Sequence, residues 1–158
     1  MNISIEEIVE KYSNMIMQIA YQNVFNKSDA EDITQDVFIK LMKNIEKINI
    51  NEEYVKAWII RVTINLSKDY NKSFWNRNTI GMDDNLKIFG EEYQDIFKEI
   101  SKLKPKYRNI VYLYYYQGYR INEIAEILSM NQNTVSSCLT RARESLKEIL
   151  NEGGEIYA

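Results

Sequence analysis

The residues best suited to chemistry lie on one predicted helix near the end of the chain, Gln132 to Ile149, within INEIAEILSMNQNTVSSCLTRARESLKEIL at 121–150. Stepping ~100° per residue puts Val135, Leu139, Ala142, Leu146 and Ile149 on one side. Asn133, Ser136, Ser137 and Thr140 fall on the other, at i, i+3, i+4, i+7. Arg141 and Arg143 lie about 80° to either side of that polar stripe by the same stepping. Hydroxyls and a carboxamide hydrogen-bond without charge, as base edges require, and flanking guanidinium groups suit phosphates. The chemistry this implies is recognition of a duplex in its major groove. The competing reading is an ordinary helical hairpin with a solvated polar face.

A reading helix needs a partner to hold it at an angle. Ile124, Ala125 and Leu128 mark a short preceding helix, and small Ala125 permits a close crossing. Ser129-Met130-Asn131 forms the turn, with Asn131 placed to cap the second helix. This is a helix-turn-helix pattern with the second helix as reader.

Two further constellations stand upstream. Asp32, Gln35, Asp36 and Ile39 share one face of a helix expected from about Asp29 to Lys47, opposite Ile33, Val37 and Leu41. An apolar residue among carboxylates suits docking to a basic partner. A solvated acidic face with one stray isoleucine is the reading that physics alone favours, since single exposed apolar residues are common. The next helix, about Glu53 to Asn71, carries Lys56, Arg61, Lys68 and Lys72, then Phe74, Trp75 and Arg77. Cations interleaved with aromatics suit single-stranded nucleic acid, and a core aromatic with a solvated basic helix is the alternative. Trp58 fits the apolar stripe Val55, Trp58, Ile59, Val62, Leu66 and Tyr70, which Ile60 and Ile64 widen, and is expected in the core. The run of tyrosines at 112–116 reads as core and rim, and Cys138 as a packing residue.

Composition removes other functions. No histidine is present among 158 residues, which excludes Ser-His-Asp and Cys-His catalysis and the usual zinc sets. The single Cys excludes an internal disulfide, and the five glycines form no phosphate-binding loop. No catalytic residue, metal or cofactor is expected. The start, MNISIEEIVEK, is unlike a signal peptide, and no uncharged run approaches the ~18 residues a bilayer span needs. The expectation is a cytoplasmic protein without membrane insertion. Net charge is −3, but it is segregated: net +2 at 51–80, net +4 at 101–150, net −3 at 1–50 and net −4 at 81–100. Local fields therefore matter more than the total.

One proline, scarce glycine and 3.6-residue periodicity predict an all-α fold of two small helical domains. A first helix uses Ile5, Ile8, Val9, Tyr12, Ile16 and Ile19, and Asn26-Lys27-Ser28 is expected to break it. The first domain is expected over 1–74, with three helices. An acidic linker follows over 75–92, with a helical turn around Leu86–Phe89. A four-helix domain spans 93–150, and 151–158 is a frayed tail. In the second domain Pro105 opens a helix that should bury Tyr107, Ile110, Val111 and Tyr114, and Gly118 ends it.

These motifs together resemble a bacterial RNA polymerase sigma factor of the extracytoplasmic-function type, in the sigma-70-like family. DAEDITQDVFIKLMKN at 29–44 looks like the region 2 helix that docks on polymerase, and AWIIRVTINLSKDYNK at 57–72 like the promoter-melting helix. Trp58, Arg61, Asn65 and Asp69 match that family's W..R...N...D spacing. LKPKYRNIVYLYYYQGYRINEIAEIL and NTVSSCLTRARESL resemble region 4.

The resemblance implies a sigma factor that binds core RNA polymerase, at the β′ clamp helices and the β flap, and directs initiation at chosen promoters. It implies that Asp32, Gln35, Asp36 and Ile39 face β′. It implies that Lys56, Arg61, Asn65, Lys68, Asp69 and Lys72 handle the opened −10 element, with a flipped base read from the loop 47–54. It assigns the −35 element to Asn133, Thr134, Ser136, Ser137, Thr140, Arg141 and Arg143, and it admits an anti-sigma factor as a partner. Two alternatives stand beside it: a free helix-turn-helix regulator, and a sigma-like interaction module without DNA binding. The chain departs from its relatives at Ser136 and Cys138, where basic residues are common, at Ser129 in place of the turn glycine, and at Arg120 in place of a Ser or Thr cap. Fewer cations imply weak affinity for DNA on its own and reliance on polymerase.

Overall fold

The computed structural model describes residues 3–49, 51–73 and 84–152, the side chains of 71–73, 84–85 and 148–152 excepted. Among the described residues the secondary structure is helical throughout, in two compact units divided between Phe89 and Gly90.

The first unit packs three helices: α1 (Ile5–Val24), α2 (Lys27–Ile48) and α3 (Glu52–Ser73). Ser4 opens α1 by accepting the Glu7 N–H at 3.2 Å. Phe25, in the left-handed region at φ 53°, closes it. The turn into α2 is shorter than the sequence suggests. Asn26 is a cap, its side-chain oxygen accepting the Asp29 N–H at 2.9 Å, so α2 begins at Lys27. Asn51 caps α3 in the same way, through the Tyr54 N–H at 2.7 Å. Ile8, Ile16 and Ile19 of α1 meet Ile33, Val37 and Leu41 of α2 and Val55, Ile59 and Ile60 of α3 in a closed core. Each such side chain contributes about 1.5–3 kcal/mol by leaving water.

The buried stripe of α3 is rotated from the expected one. Thr63 and Ser67 are fully buried, while Trp58, Val62, Leu66 and Tyr70 are only half-buried. The reason is local hydrogen bonding. Thr63 donates to the Ile59 carbonyl and Ser67 to the Thr63 carbonyl, each at 2.7 Å, so their hydroxyls enter the core already satisfied. Trp58 is therefore a rim residue and not a core residue.

A short 3₁₀ turn at Asp84–Ile88 belongs to this unit. Leu86 and Phe89 are buried, and the Phe89 ring lies 5.6 Å from that of Tyr21. The helical turn expected near Leu86 exists, but it is part of the first packed body. Phe74, Trp75 and Arg77, with the rest of the expected linker up to residue 83, lie outside the described residues, as does the tail from residue 153.

The second unit contains α4 (Glu91–Ile100), α5 (Pro105–Val111), α6 (Ile121–Leu128) and α7 (Gln132–Glu152). It begins earlier than residue 93, because Gly90 precedes a first turn carrying Glu91 and Glu92, which favours the positive helix end. Pro105 sits in the first turn of α5 as expected. Arg108 is buried on α5 with its Nε donating to the Leu103 carbonyl at 2.8 Å. Burial pushes its guanidinium down to about 10, so it stays charged at neutral pH.

Beyond α5 the helix widens into a π-turn, Tyr112–Tyr116, closed by the Gln117 N–H on the Tyr112 carbonyl at 3.1 Å. Tyr112 and Leu113 turn fully inward there, while Tyr107 and Tyr114, expected inside, are half-buried. Tyr112 stacks on Tyr116 at 5.2 Å and meets Tyr93 edge-on, and burial raises its phenol above the ordinary range. Gly118, at φ 78°, then releases the chain toward α6.

Candidate nucleic-acid interface

The helix-turn-helix is formed by α6 and α7. At the start of α6 the Glu123 carboxylate accepts the Arg120 N–H at 2.9 Å and the Arg120 Nε at 3.3 Å. That is half a capping box, and these bonds hold Glu123 below the usual carboxylate range. Ile124, Ala125 and Ile127 are buried. The turn runs through Ser129 at φ 54° and ψ 49°, a conformation that ordinarily favours glycine. The Met130 N–H reaches back to the Ala125 carbonyl at 2.8 Å and closes the end of α6. Asn131 accepts the Asn133 N–H at 2.7 Å and starts α7.

The two faces of α7 separate as the sequence implied. Val135, Cys138, Leu139 and Ala142 are buried. Asn133, Thr134, Ser136, Ser137, Thr140, Arg141 and Arg143 are all exposed. Cys138, at 1% exposure, is a packing residue. Ser136, Ser137, Thr140, Arg141 and Glu144 line one shallow concavity. Thr140 spends its hydroxyl proton on the Ser136 carbonyl at 3.1 Å, which leaves its oxygen as an acceptor toward solvent. Glu144 shares the polar stripe and escaped the sequence reading. Its i+4 spacing from Thr140 was the available signal.

The two flanking arginines are not equivalent. Arg141 opens onto the concavity. Arg143 is held from outside α7: its Nε donates to the Tyr115 hydroxyl at 2.6 Å. Its guanidinium carbon lies 5.8 Å from the Tyr114 ring centre and 5.7 Å from that of Tyr115. The hydrogen bond to Tyr115 is the largest influence raising the Arg143 pKa.

On the first unit, α2 presents Asp32, Gln35 and Ile39 exposed and Asp36 half-buried, along one face. Met42, one turn beyond Ile39, extends that face. Ile39 is 44% and Met42 55% exposed, so the apolar component is a pair and not one stray residue. An i, i+3 apolar spacing within the acidic face was the missed signal.

On α3, Tyr54, Trp58, Arg61, Asn65, Lys68 and Asp69 fall within about a third of a turn at 100° per residue. Tyr54 is 46% exposed. Lys56 is set apart, roughly 120–180° away on the same stepping. It is half-buried beside α1, where Lys11 pairs with Glu52 and the Tyr12 hydroxyl donates to Glu52 at 3.2 Å. Burial, reinforced by Lys11, lowers the Lys56 amine, while the hydrogen bond from Lys11 lowers Glu52. Lys72 lies in α3, but its side chain is outside the described residues.

Among the described residues no cluster of His, Cys, Asp or Glu could hold a metal ion, and no helix is long and apolar enough to cross a membrane.

The sigma-70 region 2 family matches residues 8–76, and the sigma-70 region 4 family matches residues 93–146. The ECF RNA polymerase sigma factor SigW of Bacillus subtilis is 28% identical, over 92% of this chain and 88% of its own length. The ECF RNA polymerase sigma factor SigM of the same organism is 27% identical, over 96% of this chain and 98% of its own. The fold is shared with the sigma factor RpoE of Bartonella quintana, solved with the anti-sigma factor NepR, at TM-score 0.70 and 19% identity over 92% of this chain and 96% of that one. It is also shared with CnrH, solved with the cytosolic domain of CnrY, at TM-score 0.70 and 19% identity over 94% and 88%. With both sigma regions matched in order across most of its length, the chain belongs to the sigma-70 family as an extracytoplasmic-function sigma factor, directing promoter-specific transcription.

Proposed function

We propose a division of labour among three surfaces. The α2 face of Asp32, Gln35, Asp36 and Ile39, enlarged by Met42, docks on the β′ clamp helices of core polymerase. A basic helical partner would meet carboxylates around an apolar centre, the arrangement that favours specific association. The outward face of α3, with Arg61, Asn65, Lys68, Asp69 and Lys72, tracks the opened −10 strand, and Tyr54 and Trp58 add stacking surfaces. The short connection between the end of α2 at Ile48 and the start of α3 at Glu52, tighter than the loop 47–54 expected from the sequence, would receive an unstacked base. Lys56 stands apart from this surface, on the side of α3 where Lys11 and Glu52 influence its amine.

The α7 stripe reads the −35 duplex. Asn133, Thr134, Ser136, Ser137 and Thr140 meet base edges, and Arg141 and Arg143 meet the two backbones. The observation that carries the assignment is the exposure of every one of these side chains while Val135, Cys138, Leu139 and Ala142 are buried on the opposite face. Region 4 also rests on the β flap, which delivers a reader poor in positive charge to its site.

On this reading the protein acts in the cytoplasm and performs no covalent chemistry itself. An anti-sigma factor is a further partner, supported by the two solved relatives held by NepR and CnrY. Run-off transcription from genomic fragments with purified core polymerase tests the proposal. Discrete start sites that depend on the protein are the expected result, and their absence would refute it.

A further inference from the structure

Tyr115 lies in the π-turn beyond α5, away from the helix-turn-helix, yet it is 52% exposed and bonded to Arg143 at 2.6 Å. An exposed arginine on a helix ordinarily samples many rotamers, and a phosphate contact must freeze them. Here one donor, Nε, is already fixed, and the Tyr114 and Tyr115 rings both lie within 6 Å of the guanidinium, on one side of it. A side-chain hydrogen bond with Tyr114 adds to the hold, and the N–H donors that remain on the guanidinium are those suited to phosphate oxygens. The Tyr115 oxygen accepts from Arg143 and retains its own proton to donate. On α7, Arg143 follows Ser136 by seven residues, so it stands at the edge of the reading stripe where a backbone passes.

We propose that Tyr115 is a positioning residue for the −35 interaction: it sets the Arg143 guanidinium in place and, with it, forms a two-helix clamp on one backbone phosphate. The inference rests on the assignment of α7 to duplex DNA and adds a residue from outside the reading motif. The clamp carries no sequence information, because a phosphate is the same at every step. It fixes the register in which Ser136, Ser137 and Thr140 meet the bases.

The test is binding of −35 duplexes by the polymerase holoenzyme over a salt series, for wild type, Tyr115→Phe, Arg143→Ala and the double variant. Tyr115→Phe keeps the ring and removes only the hydroxyl, and thermal melting of each variant checks the fold. Tyr115→Phe is expected to weaken binding roughly three- to tenfold, uniformly across −35 sequences. Arg143→Ala is expected to weaken it more and to lower the salt slope by about one phosphate's worth. In the Arg143→Ala background, loss of the hydroxyl should have no further effect. Equal effects of Tyr115→Phe in both backgrounds, or no effect in either, would overturn the clamp. So would tighter binding by Tyr115→Phe, which would mean that the tyrosine withholds the arginine from DNA. If wild-type holoenzyme shows no preference for any −35 duplex, the α7 assignment itself fails and the clamp with it.

Discussion

The outward face of α7 differs in kind from those of α2 and α3. In the first unit apolar side chains stand in the open: Ile39 and Met42 on α2, and Tyr54 on α3. In the second, the outward face of α7 between Asn133 and Thr140 is polar without interruption, while Val135, Cys138 and Leu139 hide behind it. Exposed apolar groups ringed by charge suit contacts that exclude water, such as protein docking or stacked bases. A face of hydroxyls and carboxamides suits the hydrated edge of an intact duplex. The contrast matches the proposed division, in which the first unit acts on polymerase and opened strands and the second on closed DNA, and each half of that proposal can be broken separately.

The largest effect should come from reversing the α2 charges. Asp32→Lys with Asp36→Lys is expected to reduce association with core polymerase by about a hundredfold or more, since like charges across an interface cost several kcal/mol. Co-purification and a thermal melt would separate lost docking from lost folding, and retained association would remove α2 from the contact. Next, Ile39→Ser with Met42→Ser should weaken the same association by about tenfold, from apolar area no longer buried, with little change in its salt dependence. A strongly salt-dependent loss would instead mean that the face works through charge alone.

On α7 the expected effects are smaller and differ from each other. Arg141→Ala should weaken holoenzyme binding to every −35 duplex by a few-fold and lower the salt slope by about one. Ser137→Ala should change preference at one base pair by about 1 kcal/mol and leave the slope alone. Identical behaviour of the two across a promoter library would erase the distinction between base and phosphate roles. The smallest change is Ser129→Gly, which relieves the left-handed turn and should stabilise the second unit by up to about 1 kcal/mol, with −35 preference unchanged. Denaturant unfolding would measure it, and a destabilised variant would show that the serine hydroxyl matters to the turn.

Much of this arrangement was legible in the chain. The amphipathic split of α7, the cap at Asn131, the proline opening α5 and the glycine after the π-turn all follow from local rules that the structure obeys. The misjudged places share a cause: the local pattern was overridden by bonds it cannot display. Thr63 and Ser67 look polar, yet their hydroxyls are satisfied inside the helix and they take core positions ahead of Trp58. Asn26 looks like a break and acts as a cap. The 3₁₀ turn looks like linker, but the partner of Phe89 is Tyr21, far away in sequence. Lys56 reads as one cation in a basic series, yet it points toward Lys11 and Glu52 of the α1 contact. At the candidate site, the acidic helix and the polar stripe of α7 were visible and Met42 was legible from its spacing to Ile39, whereas the hold of Tyr115 on Arg143 appears only in three dimensions.

The π-turn at Tyr112–Tyr116 has a consequence for how this protein can vary. A widened turn houses one residue more than an α-helical turn of the same height. The chain thus carries the equivalent of a single-residue insertion inside a helix, where loops ordinarily absorb length changes. Removing one residue there would let the segment revert to regular α-helix without cutting the chain's path. The residues flanking the turn would keep their phase, since the widened turn holds its extra residue without displacing them, and a deletion that removes Tyr115 would leave Arg143 with a different neighbour. Length variation in this segment is therefore a route by which close relatives could retune DNA contact while leaving every residue of the reading helix untouched.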